Sequence, residues 1–288
     1  MERTILTNGY LDANDLVTPI EPSCTTADCF WPLYGSVGIC SDFADVSDTK
    51  NPVLAGLLLD YANKTITGLN NASLPGYPLG PSYVAVTADA PVPSFVFSAE
   101  LTAAAVGDVL FLYTPNPVLA STMTPQDMRY AEVIFYACTK SFETVVTSGV
   151  KTTKEKDSVS EMVSGVTNST FFNSLWSPDK LELQPQFSCK PEVGNLSIEM
   201  KKPQGVSDKY EFNLCTALMM SSVLNQYMPG WIVMRAEDRQ YDMTVGMLAS
   251  ALGTTLFGGF MGEVPSPDVQ SQNLKGMARN IAAGLTNM

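Results

Sequence analysis

YAEVIFYACTKSFETVVTSGVKTTKEKDS, residues 130–158, is the stretch from which the architecture can be read. Between Tyr130 and Thr147 side chains alternate, with Val133, Phe135 and Ala137 on one side and Ile134, Tyr136 and Cys138 on the other. Both sides are apolar in the first half. A period of two with two apolar faces predicts a central strand covered on both sides. Ser148-Gly149 predicts a tight turn, and Val150 to Ser158 a polar return strand.

Working outward, short runs rich in Val, Phe or Tyr predict strands at Tyr83–Thr87, Ser94–Phe97 and Asp108–Tyr113. Lys180–Gln184 and Asn195–Lys201 are two more. Asn51 to Asn63 has a proline near its start and apolar spacing that suits a short helix. The Asn, Gly and Pro between Asn70 and Pro81 predict a loop.

Beyond Ser207 the period becomes helical. Phe212–Tyr227 places Leu214, Leu218 and Leu224 at helical spacing, with Cys215 and Met219 alongside. Tyr241–Phe257 does so with Met243, Met247, Ala251 and Leu252. Ser266-Pro267-Asp268 reads as N-cap, first helical position and first turn of a helix whose one face carries Leu274, Met277, Ile281 and Leu285. The expectation is an α+β fold: an N-terminal disulfide-tied antiparallel β part followed by about three C-terminal helices. Residues 1–22 read as an extended arm, and 23–288 as a single composite domain, β-rich over 23–205 and helical over 206–288.

Three of the six cysteines fall in SCTTADCFWPLYGSVGICSDFADVSD, residues 23–48. Cys24, Cys29 and Cys40 bracket Phe30, Trp31, Pro32 and Tyr34. Aromatic rings among glycines and prolines predict a small knot closed by disulfides, since such loops bury too little surface to order themselves. The C-x4-C-x10-C spacing fits structural zinc poorly, and the chain has no histidine to complete a ligand set. An even count suits full pairing of Cys24, Cys29, Cys40, Cys138, Cys189 and Cys215, with the connectivity left open. Cys215 is placed to tether the helical part to the sheet through Cys189 or Cys138.

Composition narrows the function. With 288 residues, 45% hydrophobic and only 16% charged, the chain can build a sizeable core. A net charge of −12 repels phosphate backbones and anionic membrane surfaces, which argues against nucleic acid as a partner. The absence of histidine removes Ser-His-Asp and Cys-His catalysis and the commonest metal ligand. Four N-x-Ser/Thr sequons, at Asn63, Asn71, Asn168 and Asn195, lie in or beside polar or turn-like segments. Met1-Glu2-Arg3 opens no apolar leader, so secretion requires a targeting segment outside this sequence. Met243–Gly262 carries no charge but is rich in Gly, Ser and Thr, which argues against a membrane span.

Several of these residues carry a family pattern. Cys24, Cys29-Phe30-Trp31, Ser36-Val37-Gly38-Ile39-Cys40 and Asp45-Val46-Ser47 resemble the ectodomain signature of an uncharacterised group of fungal multi-pass membrane proteins, the domain of unknown function numbered 3176. Tyr136-Ala137-Cys138-Thr139-Lys140-Ser141-Phe142 and Asn280 to Asn287 resemble two later segments of that group. The chain departs from it at Phe43 and Val133, where the group often has cysteines. The resemblance implies a glycosylated, disulfide-bonded domain at the extracellular face of the plasma membrane, attached only through segments outside this chain.

Candidate chemistry is sparse. Asp42, Asp45 and Asp48 lack the alternating spacing and glycine turn of a calcium loop and read as a solvated acidic loop. Glu161, Glu182, Glu192, Glu199 and Glu211 are the acids from which a glycosidase pair would be drawn, and nothing in their context makes two converge. The methionines Met219, Met220, Met228, Met234, Met243, Met247, Met261 and Met277 suit core packing better than copper(I). Trp31, Trp176 and Trp231 could stack on sugars, although burial is the commoner fate of tryptophan. No cofactor and no catalytic residue is expected. The leading reading is an extracellular recognition or structural module without catalytic activity. The alternatives are a secreted, self-associating layer or fibre protein and a carbohydrate-active enzyme with a carboxylate pair. The partner classes are cell-wall polysaccharide, another protein, or a second copy.

Overall fold

The computed structural model describes residues 26–45, 58–60, 65–67, 73–74, 82–89, 104–113, 129–163, 197–227, 230–234, 241–245 and 266–286. In chain order the elements are β1 (Cys29–Asp45), β2 (Leu58–Asp60), β3 (Thr65–Thr67), β4 (Ser73–Leu74), β5 (Ser82–Asp89), β6 (Ala105–Tyr113), β7 (Arg129–Thr147) and β8 (Val150–Val159). There follow β9 (Ser197–Met200), β10 (Tyr210–Asn213), α1 (Leu214–Tyr227), β11 (Gly230–Met234), β12 (Tyr241–Val245) and α2 (Pro267–Thr286).

β7 organises the molecule, as its sequence predicts. It is 19 residues long, and every residue from Ala131 to Phe135 is buried. The main sheet is seven-stranded and runs β1-β7-β6-β5-β11-β12, with β8 also on β7. β1 pairs along almost the whole of β7, from Asp45 opposite Ala131 to Cys29 opposite Val146. On its other side β7 pairs first with β6, over Arg129 to Tyr136, and then with β8, over Thr139 to Thr147. All these pairings are antiparallel. Ser148 (φ 51°) and Gly149 (φ 78°) form the expected two-residue hairpin turn, whose left-handed backbone follows the twist of the flanking strands. The turn is clipped to the start of β1: Ser148 N donates to Asp28 Oδ1 at 2.7 Å and Gly149 N to Ala27 O at 2.9 Å.

The core lies on the sheet face that carries Ala131, Val133, Phe135 and Ala137, where α2 covers β1 and β7 and α1 covers β6. α2 starts at the predicted cap, with Gln270 N donating to Ser266 O at 2.9 Å. Its predicted stripe of Leu274, Met277, Ile281 and Leu285 is buried. α1 is capped by Asn213, whose Oδ1 accepts from Cys215 N at 2.8 Å. Its buried stripe runs Leu214, Ala217, Met220 and Leu224. Close approach to the sheet requires glycine at two points. A Cβ on Gly107 would lie 2.5 Å from Leu224 Cδ1, and one on Gly35 would lie 2.0 Å from the Tyr210 hydroxyl oxygen.

Several expectations are corrected. Two of the about three expected helices, Leu214–Tyr227 and Pro267–Thr286, are found among the described residues. Tyr241–Val245, expected to open a helix, is a strand hydrogen-bonded to β11, and 246–257 lie outside the described residues. Pairing explains the difference: Trp231, Ile232 and Val233 form a strand between β5 and β12, and that ladder outweighs the helical spacing of Met243 and Met247. The segment from 206 onward is therefore not uniformly helical, since it contributes β10, β11 and β12. Leu58–Asp60, expected in a helix, pairs with Thr65–Thr67 as a strand. The strands expected at Ser94–Phe97 and Lys180–Gln184, the arm at 1–22 and the uncharged stretch over 246–262 lie outside the described residues. Among the described residues no helix is long and apolar enough to cross a membrane.

Candidate functional site

From Cys29 onward the stretch expected to form a cysteine knot is a strand. Residues 29–45 extend along β7, and the chain reverses nowhere between Cys29 and Cys40. The physical reason is backbone pairing with β7, which satisfies the amides and carbonyls of the stretch. Cys40 reaches across to Cys138, with S–S 2.01 Å and Cα–Cα 5.8 Å, joining residues 98 apart in sequence. Gly38 is opposite Cys138 and Cys40 is opposite Tyr136, so the bridge runs diagonally between neighbouring strands. Cys138 is fully buried, while Cys40 Sγ lies 3.8 Å from Ser158 Oγ on β8. Cys29 and Cys215 are also in disulfides, with partners outside the described residues. Cys138 is therefore excluded as the tether for Cys215. Cys24 and Cys189 lie outside the described residues.

The rest of this end of the sheet is held by short polar links. The Tyr34 hydroxyl and Thr144 Oγ1 are 3.1 Å apart, and Thr144 and Thr153 hydroxyls 2.9 Å, a ladder across β1, β7 and β8. The Tyr34 ring packs on Phe142 with centroids 5.8 Å apart. Lys140 pairs with Glu155 and Lys156 with Glu143 across the hairpin.

Both lateral edges here are blunted. On β1, Ile39 N donates to Thr286 Oγ1 at 2.7 Å. Its opposite residue Ala137 donates away from β1, to Ala104 O at 2.8 Å, so the Ile39 amide points to the free edge and the end of α2 occupies it. Pro32 sits in the irregularity between Trp31 and Tyr34. On β8, Lys151, Lys154 and Lys156 charge the strand.

The acidic candidates do not converge. Asp42 and Asp45 stand on a strand rather than in the expected loop, and at odd spacing they face opposite sides of it. Asp45 is 3.8 Å from Arg129, and Asp42 together with burial raises the pKa of Tyr136, burial being the larger cause. Asp48 is outside the described residues. Glu161 pairs with Lys201. Glu199 and Glu211 are cross-strand neighbours on β9 and β10, and Lys209 bridges them at 3.3 and 2.9 Å. Hydrogen bonds from Lys209 and Ser197 hold the Glu211 carboxyl below its usual range, and the same pairing to Glu211 and Glu199 raises Lys209. Glu182 and Glu192 lie outside the described residues. No acidic or cysteine cluster that could hold a metal occurs among the described residues.

Met220 and Met277 are buried in the core, as is Met200. Trp31 lies on β1 and Trp231 on β11, while Trp176 is outside the described residues. The four sequon asparagines, Asn63, Asn71, Asn168 and Asn195, are outside them too. Yet in three sequons the hydroxyl residue opens a strand, Thr65 for β3, Ser73 for β4 and Ser197 for β9.

What sequence reading missed is the open end of the sheet: Phe30, Val145 and Val150 are 62%, 37% and 67% exposed. The only signal for it was the polar composition of residues 150–158 beside an apolar partner strand. No family model, curated protein or solved structure matches the chain.

Proposed function

We propose that this chain is an extracellular recognition or structural module of a fungal plasma-membrane protein, without a catalytic role. The observation that carries the reading is the Cys40–Cys138 bridge between the two longest strands. Disulfides form and persist in oxidising compartments and are rare in reducing ones. Closing a loop of this length contributes about 4 to 5 kcal/mol in the chain-entropy account. The resemblance of the Cys24–Ser47 pattern to fungal ectodomains supports attachment to the membrane through segments outside this chain. Sequons set just before strands suit glycan attachment at the surface. The non-catalytic part of the reading is supported by Glu161, Glu199 and Glu211, each held by a lysine on an exposed face.

The test is the intact mass of the protein from its native source, before and after reduction and deglycosylation. With six cysteines paired, reduction adds about six mass units, and deglycosylation collapses hexose-spaced heterogeneity. Six free thiols and a single unglycosylated mass would overturn the reading.

A further inference from the structure

Aromatic rings gather on the outer part of the β1–β7–β8 sheet, on the face turned away from α1 and α2. Tyr34 is opposite Phe142 and Phe142 opposite Glu155, while Trp31 is opposite Thr144 and Thr144 opposite Thr153. Residues directly opposite in an antiparallel ladder project to one side, and so do residues two apart on a strand. The extra residues at the two irregularities fall on β1 and β8, so β7 alternates without interruption. Both rows therefore share the face opposite to Phe135 and Ala137. Lys140 joins them, two places from Phe142 and 3.0 Å from Glu155.

Tyr34 is pinned at both ends. Its ring packs on Phe142 with centroids 5.8 Å apart, and its hydroxyl is 3.1 Å from Thr144 Oγ1 in the next row. Rows on one face are about 6.7 Å apart along a strand, so a side chain that reaches the next row lies along the sheet instead of standing off it. Tyr34 is nonetheless 41% exposed, which leaves the outer face of the ring to solvent. Little side-chain freedom remains to be lost on binding. Trp31, half-buried, supplies a second ring on the same strand.

The surroundings select the ligand. Thr153 offers an exposed hydroxyl, and the Lys140–Glu155 pair offers donors and acceptors beside the rings while cancelling its own charge. Val146, which projects to this face too, is buried, so an acyl chain or an apolar helix meets rings rimmed by polar groups and not an aliphatic patch. A net charge of −12 repels a polyanion. What fits is an uncharged molecule with C–H bonds on its flat faces and hydroxyls around its edge. The C–H face stacks on the electron-rich ring, and the hydroxyls reach Thr153, Lys140 and Glu155.

We propose that Trp31 and Tyr34, with Thr153 and the Lys140–Glu155 pair, form a binding surface for a neutral polysaccharide. The proposal rests on the recognition reading above and gives it a ligand class.

The experiment is isothermal titration calorimetry of the disulfide-intact chain with laminarin, a soluble neutral β-glucan, and with chitohexaose, against alginate as a polyanionic control. The expected result is binding to a neutral glycan, none to alginate, and an affinity that raised salt leaves unchanged. Tyr34→Ala and Trp31→Ala should each weaken binding roughly tenfold with unchanged circular dichroism. Tyr34→Phe, which keeps the ring, should weaken it less, and Phe30→Ala on the opposite face should not weaken it. Absence of binding to both neutral glycans overturns the proposal, while the intact-mass measurement decides separately whether the recognition reading stands. Binding that ignores Tyr34→Ala, or that salt abolishes, overturns it as well. So does a dimer that Tyr34→Ala dissociates, since a second copy would then occupy the ring.

Discussion

From Ala131 to Ala137, β7 lies between β1 and β6 beneath the two helices, and all but Tyr136 of those residues are buried. From Thr139 to Thr147 the same strand lies between β1 and β8; Thr139, Ser141, Thr144 and Val146 are buried, whereas Val145 and Thr147 are open. Backbone pairing continues through both halves. The difference lies in what is stacked above. The inner half is stabilised by apolar burial and the outer half by hydroxyl ladders and cross-strand ion pairs, with the Cys40–Cys138 bridge at the border between them. A sheet can therefore extend beyond its core where polar links replace packing.

The largest effect that would sharpen this contrast is a pair of truncations. Phe135→Ala in the inner half should cost about 3 to 5 kcal/mol, whereas Val145→Ala in the outer half should cost less than about 1 kcal/mol. Chemical denaturation measures both, and equal losses would break the comparison.

Gly35→Ala probes the border between the halves, because its methyl would meet the Tyr210 ring at 2.0 to 2.5 Å. We expect a loss of about 1 to 3 kcal/mol. In a Tyr210→Ala background the same change should cost much less, a coupling that a double-mutant cycle reads directly.

Thr286→Val removes the acceptor for the Ile39 amide at the covered edge of β1. The expected loss is about 1 kcal/mol, with faster hydrogen exchange at Ile39.

The smallest effect concerns Lys209 between Glu199 and Glu211. The Glu211 pKa is lowered from 4.5, so its contribution is present above that value and lost as pH falls through the folded-state pKa. The Lys209 pKa is raised from 10.5, so its contribution is present below that value and lost as pH rises through the folded-state pKa. Lys209→Met should therefore lower the melting temperature slightly at neutral pH and not at all in strong acid. A shift that persists in acid would mean that the side chain acts through packing.

Much of the fold is legible locally. Tyr130–Thr147 declares itself a two-sided strand, Ser148-Gly149 a hairpin turn and Ser266-Pro267-Asp268 a helix start, because each rests on near neighbours in the chain. Tyr241–Val245 misleads because its helical spacing is real, and the β11 backbone that overrides it comes from elsewhere in the chain. The candidate site was legible only as a set of cysteines. Three of them, 24, 29 and 40, lie close in sequence and invite a local knot, while the described bond joins Cys40 to a residue 98 positions away. The open apolar end was not legible at all, because whether Phe30 or Val150 is covered depends on where the β9–β10 hairpin and α2 stop.

By itself, then, the sequence determined the acidic charge, the even set of cysteines, the lack of histidine and the periodicity of its longest strand and last helix. Those are properties of composition and of neighbours a few residues apart. Only the tertiary structure decided which cysteine meets Cys40, which strand lies beside β7 and which apolar side chains remain open. Those depend on strand register and on the reach of covering elements, which bring together residues far apart in the chain.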